Sequence, residues 1–327
     1  MSVPSAFKAA LIPNKGEEPY VAERSLAPLN PGEVAVKITA TAINPVDWKI
    51  RDYGFFIKEW PTILGTDGAG EVVALGPDTS RLAIGDRVFF QGILGNLDSS
   101  TFQQYAKIPE ALVSKTPKNT TDEEAAGISV TTVCGVVGFY DKTGQGLPAP
   151  WGEGGDKAGK GKAVVILGGS SSVGQYAIQL ARLSGFDRIV TNSSPAHHEF
   201  LKKLGAHVVL DRSKAAVEDF AEAIGEVPLE FAFDAISELE TQILGVKILQ
   251  AKNVSNAQLI TVTAVQDEAQ KLGQSKEPKV LIKNVLGLGS SPDLRYLSEP
   301  LVKALGDEDG WLAKGVSGHK VIIKPQE

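Results

Sequence analysis

The sequence contains few of the residues that build disulfides and metal sites. Its 327 residues include one cysteine, Cys134, and four histidines, at positions 197, 198, 207 and 319. One cysteine forms no internal disulfide, which is typical of proteins in a reducing compartment. The five side chains also show no spacing typical of zinc ligands. We therefore expect a cytoplasmic protein without a metal site, in which Cys134 is buried and inert.

The sequence also lacks an excess of positive charge and long apolar runs. Lysine and arginine number 33 against 39 acidic residues, for a net charge of −6. Nucleic acid is therefore not an expected partner, because phosphate backbones attract a concentrated basic face. No apolar run approaches the ~20 residues that span a bilayer. The N-terminal segment has no pattern of a secretory signal, so we expect a soluble protein with no membrane partner.

The chain is roughly twice the ~150 residues typical of one domain. Its first third has short apolar segments separated by Pro/Gly turns, which predicts a β domain. Examples are Val34–Ile38, Gly70–Leu75 and Arg87–Phe90. Thr121 or Asp122 is then expected to cap a helix, and a long apolar stretch follows. We place the crossing into a second domain there.

Apolar and amphipathic segments alternate after an irregular Gly/Pro-rich loop over residues 144–162. The order is AVVIL, SSVGQYAIQLARLSG, RIVTN, HHEFLKKLGA, VVLD, AAVEDFAEAIG and LEFAFDA. Such alternation predicts βαβ units and a parallel sheet.

A small-residue turn, GGSSSVG, joins the first strand of this region to its helix. Gly169, Ser171 and Gly174 stand at the three positions of the dinucleotide fingerprint, with Ser171 replacing the middle glycine. The surrounding strand, helix and second strand favour dinucleotide binding, because such a helix directs its N-terminal amides at the pyrophosphate. The alternative is a plain turn between strand and helix. The predicted cofactor-binding residues of the turn are Gly169, Ser170, Ser171, Ser172, Val173 and Gly174.

The end of the second strand favours NADPH over NADH. An NAD enzyme usually has an acidic residue there, whereas this chain has Asn192, Ser193 and Ser194. His197 and Arg212 follow, so hydroxyl groups and cations are available for a 2′-phosphate. The alternative is that Ser193, Ser194 and His197 only begin and cap a helix.

Several motifs together resemble a known family. They are NPVDWK (Asn44–Lys49), LGTDGAGEVVALG (Leu64–Gly76), IGDRVF (Ile84–Phe89), GGSSSVGQYAIQLAR and the terminal GVSGHKVII. Together they span nearly the whole chain and resemble the zinc-independent medium-chain dehydrogenase/reductases. Within that superfamily the chain resembles quinone-oxidoreductase-like proteins, and in particular the fungal trans-acting enoyl reductases that assist polyketide synthases. The Gly/Pro-rich insertion supports the fungal branch.

The resemblance implies an α/β fold with a Rossmann doubly wound parallel sheet plus a GroES-like β domain. It places a GroES-like catalytic domain at 1–125 and 293–327 and a Rossmann NADP(H)-binding domain at 126–292, with the active site in the cleft between them. Zinc-dependent relatives carry Gly-His-Glu where this sequence has Gly65, Thr66 and Asp67. The resemblance therefore implies zinc-independent chemistry.

The implied activity is hydride transfer from NADPH to an α,β-unsaturated carbonyl, as in an enoyl or ene reductase. One alternative is an NADPH:quinone reductase, and another is reduction of a ketone or aldehyde. A third, of a different class, is a non-catalytic NADPH-binding scaffold. The expected partners are a small electron-poor alkene or quinone and a polyketide synthase carrier, with the protein a monomer or a homodimer.

The resemblance also implies roles for individual residues. Asn44 matches an asparagine near nicotinamide and substrate, Lys49 a lysine that assists reduction, and Thr131 and Thr132 a pair that contacts cofactor and substrate carbonyl. The predicted catalytic residues are Asn44, Lys49 and Thr132. The alternatives are that Asn44 satisfies a turn, that Lys49 is a solvated charge, and that the threonines begin a buried helix.

Two further groups complete the predicted site. The predicted substrate pocket consists of Asp47, Tyr53, Phe55, Phe56 and Trp60, although such aromatic residues also pack cores. A strand over Leu259–Thr263 and the segment GLGSS are expected to line the cofactor. The cofactor-lining residues named there are Val262, Thr263, Leu288 and Gly289.

Overall fold

The computed structural model describes residues 3–306, 310–311, 320 and 322–326. The chain divides into two compact units. The first unit comprises the chain up to Val130 and from Leu288 onward, and the second unit is Thr131–Gly287. The first unit is therefore discontinuous in sequence, whereas the second is a single segment.

The regular elements follow one another along the chain. The strands are β1 (Phe7–Ile12), β2 (Tyr20–Arg24), β3 (Glu33–Ala42), β4 (Thr62–Ile63), β5 (Asp67–Leu75), β6 (Arg87–Gln91), β7 (Tyr105–Pro109), β8 (Val113–Lys115), β9 (Ala163–Leu167), β10 (Arg188–Ser193), β11 (Val208–Asp211), β12 (Leu229–Asp234), β13 (Gln258–Thr261), β14 (Leu281–Asn284) and β15 (Ile322–Ile323). The helices are α1 (Pro45–Tyr53), α2 (Asp122–Ala126), α3 (Ser129–Tyr140), α4 (Ser172–Leu183), α5 (His198–Leu204), α6 (Val217–Ile224), α7 (Leu239–Ala251), α8 (Asp267–Ser275) and α9 (Arg295–Gly306).

The first unit is built on antiparallel sheets, as its short apolar segments predict. Among the described residues, one sheet has the order β15-β3-β5-β6-β8 with β7 also paired to β3, and a smaller one has the order β2-β1-β4. β3 and β5 pair from Val34 opposite Leu75 to Ala42 opposite Asp67. Their alternating apolar side chains fill the core with those of neighbouring strands. This register places Asp67 beside the end of β3, two residues before Asn44.

Helix α1 interrupts the region that the sequence pattern predicts as β throughout. Pro45 occupies its first turn, where a missing N–H costs nothing. The Asp47 carboxylate accepts a hydrogen bond from the Asn44 N–H at 2.7 Å and so fixes the entry to the helix. Gly54 ends the helix in the left-handed conformation, with φ of 75°. These local contacts decide the conformation of a segment that is too short for a periodic pattern to identify.

The second unit contains the predicted doubly wound parallel sheet. Its strand order is β11-β10-β9-β12-β13-β14, and every pairing is parallel. All five residues of β9 are buried, as expected for a central strand covered by helices on both faces. The order in which strands are added to the sheet reverses between β9 and β12. In such sheets ligands bind outside the carboxyl ends of the strands at that point.

The predicted alternation from Ala163 to β12 is confirmed element by element. The later strand β13 is shorter than predicted, because it ends at Thr261 rather than Thr263. The Val262 N–H leaves the ladder and donates to Ser237 Oγ at 2.9 Å, and the Thr263 hydroxyl donates to the Ser237 carbonyl at 3.0 Å. Among the described residues, no helix has both the length and the apolar character needed to cross a membrane.

Candidate cofactor and substrate sites

The glycine turn of the second unit is bound tightly to the end of β10. The Asn192 side-chain oxygen accepts from the Gly168 N–H at 2.8 Å, and its backbone oxygen accepts from the Gly169 N–H at 3.1 Å. A Cβ on Gly169 would come within 2.2 Å of Thr191 Oγ1, and one on Gly174 within 2.3 Å of the Gly168 oxygen. The turn therefore packs at a distance that side chains at these positions would not permit.

Ser171 has a local role that the fingerprint comparison does not anticipate. It is the N-cap of α4, and its hydroxyl accepts from the Gly174 N–H at 3.0 Å. A glycine would leave that amide without this partner, whereas serine is a favoured cap. Ser170, Ser172 and Val173 lie in the same turn and first helical turn. The helix therefore begins at the turn, and its dipole favours an anion there.

The predicted phosphate-binding residues gather around the ends of β10 and β11. Ser193 is buried and its hydroxyl donates to the Ser194 carbonyl at 3.1 Å, so this hydroxyl is already committed. Ser194 precedes a short turn that contains His197, which is exposed. Arg212 donates its backbone N–H to the Ser193 carbonyl at 3.0 Å, and its side chain is exposed.

Asp211 lies in the same region and was missed by the sequence reasoning. It stands opposite Ser193 in the pairing of β10 with β11. Its carboxylate accepts from the backbone and hydroxyl of Ser213, at 3.0 and 2.7 Å, and these hydrogen bonds lower its pKa. An ionised carboxylate therefore accompanies the Arg212 cation. The acid at the end of VVLD was the available signal.

A buried acid also lies at the end of β12, beside the point where the strand order of the sheet reverses. Asp234 Oδ1 accepts from the N–H groups of Ile236 and Ser237 at 3.0 and 2.8 Å. Burial raises the Asp234 pKa to about 6. Val262 and Thr263 contact the adjacent Ser237, so the structure brings them to this edge of the sheet as well.

The threonine pair of the second unit lies within α3. Thr131 and Thr132 are both buried, at 5% and 1% exposure. Cys134, one turn later, is only partly buried, which corrects the expectation that it is buried. A helix with apolar residues on all sides leaves small polar side chains inside, so sequence alone did not distinguish a core from a contact surface.

The first unit contains a buried polar cluster around Asn44, which is 3% exposed. Its amide nitrogen donates to Thr66 Oγ1 and to Asp67 Oδ2, each at 3.0 Å. Its amide oxygen accepts from the Lys320 ammonium at 2.7 Å. Asn44 therefore uses both amide hydrogens inside the protein and presents no further donor.

Asp67 and Lys320 form a buried ion pair within this cluster. Their oxygen and nitrogen atoms are 2.6 Å apart, with Asp67 fully buried and the Lys320 side chain 3% exposed. The second Asp67 oxygen accepts from the Val130 N–H at 2.7 Å. From the sequence, Thr66 and Asp67 were noted only as replacements of the His and Glu of zinc-dependent relatives, and Lys320 was not predicted as a site residue. A lysine just before a short apolar strand is typical of a solvated strand end, so its burial had no local signal.

Asp47 is the titratable member of the cluster at neutral pH. Burial, together with the charge of Asp67, raises its pKa to about 7, against the opposing effects of the hydrogen bond from Asn44 and the charge of Lys320. Thr66 donates to its other oxygen at 3.4 Å. Asp47 also lines an apolar cavity of about 560 Å³ together with Trp48 and Phe102.

The other predicted pocket residues lie away from that cavity lining. Lys49 is half-buried, with its ammonium 5.6 Å from the centre of the Trp48 ring. Tyr53 and Phe55 are exposed, and their ring centroids lie 5.6 Å apart with the ring planes tilted by 42°. Tyr53 and Phe55 form an exposed aromatic surface at the end of α1 and in the segment after it.

Two of the remaining predicted residues are held by packing or hydrogen bonds within the first unit. Phe56 is exposed, whereas Trp60 packs against a small buried cluster that includes Ile50. Gly289, next to Leu288, donates its N–H to Gln91 Oε1 at 2.9 Å. Among the described residues, no group of three or more His, Cys, Asp or Glu side chains is arranged to hold a metal ion.

Two family models match the chain. Residues 30–118 match the alcohol dehydrogenase GroES-like domain, and residues 172–254 match the zinc-binding dehydrogenase model. A putative zinc-dependent alcohol dehydrogenase from Rhizobium etli has the same fold, with a TM-score of 0.74, 25% identity, and coverage of 96% of this chain and 88% of that one.

Curated relatives extend the match. Trans-enoyl reductase himH of Aspergillus japonicus is 33% identical over 64% of this chain and 60% of its own, so the match spans less than two thirds of that relative. Dehydrogenase orsE of Emericella nidulans is 32% identical over 74% of each chain. The chloroplast envelope quinone oxidoreductase homolog of Arabidopsis thaliana is 29% identical over 90% of each. By these matches and by its fold, the chain belongs to the medium-chain dehydrogenase/reductase superfamily.

Proposed function

We propose that the protein is an NADPH-dependent, zinc-independent reductase that transfers a hydride to an α,β-unsaturated carbonyl, as an enoyl reductase does. The observation that supports it most is the glycine turn at the carboxyl end of β9, where the order of the strands along the parallel sheet reverses. The relatives named as trans-enoyl reductases support the choice of acceptor. The second unit then corresponds to the NADP(H)-binding domain and the first to the GroES-like catalytic domain.

The residues at the turn fit a dinucleotide. Gly169 and Gly174 leave room that a Cβ would fill, and α4 begins at the turn with a serine cap. The turn residues from Gly169 to Gly174, with Val262, Thr263, Leu288 and Gly289, would hold the cofactor. When bound, NADPH supplies the hydride. The protein supplies orientation, exclusion of water and hydrogen bonds.

The preference for NADPH rests on exposed groups near the end of β10. Arg212 is exposed and supplies the cation for a 2′-phosphate, with the exposed His197 and Ser194 as further hydrogen-bonding groups beside it. The Asn192 oxygen is committed to Gly168, which leaves its amide N–H groups for the ribose. The ionised Asp211 opposes this preference, so the Arg212 charge is the decisive group.

Asn44, Lys49 and Thr132 are the proposed catalytic residues. The Thr132 hydroxyl donates to the substrate carbonyl, on which negative charge develops during reduction. The Lys49 ammonium adds positive potential near the developing negative charge. The Asn44 amide oxygen, which Lys320 holds in place, contacts the bound substrate or cofactor. Thr131 contacts the cofactor. The cavity that Asp47 lines receives the apolar part of the substrate. The exposed Tyr53, Phe55 and Phe56 and the half-buried Trp60 lie outside that cavity lining and remain predicted contacts of the substrate.

Zinc-independent chemistry is supported by a cation of the protein itself. The Lys320 ammonium lies 2.6 Å from Asp67 Oδ2 and 2.7 Å from Asn44 Oδ1. A metal ion at these oxygens would meet this positive charge. Carbonyl polarisation therefore depends on hydrogen bonds, which suits conjugate reduction better than reduction of an isolated ketone.

NADPH:quinone reduction is the second candidate, because the Arabidopsis relative is named a quinone oxidoreductase homolog and aligns over 90% of this chain. A quinone would bind as a small molecule from solution, whereas an enoyl substrate can be delivered while attached to a polyketide synthase carrier. The low cysteine content supports a cytoplasmic location. We propose a monomer or a homodimer in either case.

Turnover of NADPH tests the proposal. Loss of NADPH absorbance is followed with a quinone, a 2-enone and an enoyl thioester, each repeated with NADH. Preferred turnover of the enone or thioester supports the enoyl reductase, and turnover of the quinone alone selects the second candidate. Binding of NADPH with no turnover of any acceptor, including a carrier-bound enoyl group, contradicts both and favours a non-catalytic scaffold.

A pair of variants tests the cofactor preference separately. Arg212→Ala should lower kcat/KM for NADPH by about tenfold or more, because a charge-assisted hydrogen bond contributes about 1.5–3 kcal/mol. Values for NADH should stay within twofold of the wild type. Lys203→Ala, another exposed cation of this unit, is the control. Equal losses with both cofactors would contradict the role given to Arg212.

A further inference from the structure

The buried lysine at the end of the chain requires an explanation beyond charge pairing. Lysine is almost never fully buried unless it is paired, since its ammonium loses hydration. Lys320 is paired with Asp67, yet it also donates to the neutral amide of Asn44 at 2.7 Å. The second hydrogen bond connects the end of the chain to a proposed catalytic residue 276 positions earlier.

The neighbours of Asn44 fix the orientation of its amide. The ammonium next to Oδ1 carries only donors, and the Asp67 carboxylate next to Nδ2 carries only acceptors when ionised. Rotation of the amide by half a turn would set N–H groups against the ammonium and the oxygen against the carboxylate. Both contacts would then be repulsive, so one orientation is selected.

The remaining partner of the amide selects an orientation only weakly. The Thr66 hydroxyl, 3.0 Å from Nδ2, accepts from the amide, and it could donate to a rotated amide by giving up its long, 3.4 Å hydrogen bond to Asp47 Oδ1. The selection therefore depends on the Lys320 and Asp67 pair. Asp67 is held in place from outside the amide's contacts, because its other oxygen accepts from the Val130 N–H at 2.7 Å.

We propose that Lys320 is a positioning residue for reduction, whose ammonium holds the Asn44 amide in the single orientation that presents its oxygen to bound substrate or cofactor. The inference rests on the proposed function, since it gives a use to Asn44. A purely structural ion pair would not make this prediction: the effect on kcat of replacing Lys320 should depend on whether Asn44 is present.

Substitutions that balance charge separate positioning from folding. Lys320→Met alone leaves the Asp67 charge buried and unpaired, so it should unfold at lower urea concentration. The double variant Lys320→Met with Asp67→Asn removes both charges and should recover much of that stability. Its kcat should nevertheless fall by about 100-fold, as expected when a reacting group is misplaced. Its Kd for NADPH should stay within twofold of the wild type.

Asn44→Ala supplies the specific readout. In an Asn44→Ala background, the double variant should lower kcat no further, because no amide remains to be oriented. Lys324→Met removes another lysine of the same terminal segment, one paired with Glu123 at 3.3 Å, and is the control. Wild-type kcat in the double variant would overturn the proposal, and so would a loss that multiplies with that of Asn44→Ala.

A spectroscopic measurement keeps this test independent of turnover. The side-chain amide signal of Asn44, identified by its loss in Asn44→Ala, should exchange slowly in the wild type. It should exchange rapidly in the double variant. An inactive wild type with this same contrast would reject the proposed function and retain the orienting role, whereas slow exchange in both proteins would reject the orienting role itself.

Discussion

Replacing Asp47 by asparagine should remove a loss of stability that this protein undergoes as the pH rises towards neutrality. The folded-state pKa of about 7 lies above the ordinary value of 3.8, mainly because the carboxyl is buried. Between those values the folded state binds a proton that the unfolded state has lost. Stability therefore falls as the pH rises from about 4 to about 7, and the loss is complete above that range.

The magnitude follows from the shift. About three pKa units correspond to about 4 kcal/mol of unfolding free energy. Asp47→Asn removes this loss but weakens the hydrogen bonds that its carboxylate accepts, at a cost of about 1–2 kcal/mol. The variant should therefore be more stable than wild type by about 2–3 kcal/mol at pH 8.5. At pH 4.5, where the wild type has already lost about 1 kcal/mol, the variant should be less stable by at most about 1 kcal/mol.

Urea unfolding followed by tryptophan fluorescence and circular dichroism, at several pH values from 4.5 to 8.5, measures the crossing. Asp52→Asn is the matched control, since it removes a partly exposed carboxylate from the same helix, where it pairs with Arg51. It should differ from wild type by less than about 1 kcal/mol at every pH. Parallel curves for Asp47→Asn and wild type would refute the argument that burial holds a proton on this side chain.

Three further changes have expected outcomes. Gly169→Ala, whose Cβ would lie 2.2 Å from Thr191 Oγ1, should weaken NADPH binding about tenfold or more in a fluorescence titration, because overpacking costs about 1–3 kcal/mol. Gly152→Ala, with no contact under 3.4 Å, should leave binding unchanged. Asp234→Asn should remove a fall in stability of about 3 kcal/mol between pH 4 and 6, measured by urea unfolding, and an unchanged pH profile would contradict it. Thr121→Ala, which removes the cap of α2, should cost about 1 kcal/mol in the same assay.

The second unit was predicted well from the sequence because its elements are specified locally. A strand buried on both faces, such as β9, needs a continuous apolar run, and a helix beside it needs an amphipathic one. The glycine turn has a further local signal, since only glycine at 169 and 174 permits the observed packing. The exact end of β13 was wrong because contacts to Ser237, distant in sequence, draw Val262 out of the ladder.

The polar cluster of the first unit was predicted only in part. Asn44 and Asp47 belong to a recognisable motif at the start of α1, but Lys320 joins them over a separation that no local pattern encodes. The short strand β15 after Lys320 pairs with β3, and that pairing also joins residues too far apart in the sequence for a local pattern to encode. Burial of a lysine is a property of the assembled unit, and it becomes visible only when its partners are placed.

The discontinuity of the first unit also has a consequence for synthesis. The second unit is complete once Gly287 has been made, so it can fold while the chain is still growing. The first unit must wait, because Ile322 pairs with Ala42 and Lys320 pairs with Asp67 only after the final residues emerge. Until then the Asp67 carboxylate lacks its internal cation. The second unit is therefore completed during synthesis before the first unit, which contains Asn44, and the first unit gains the cation that pairs with Asp67 only when Lys320 has been added.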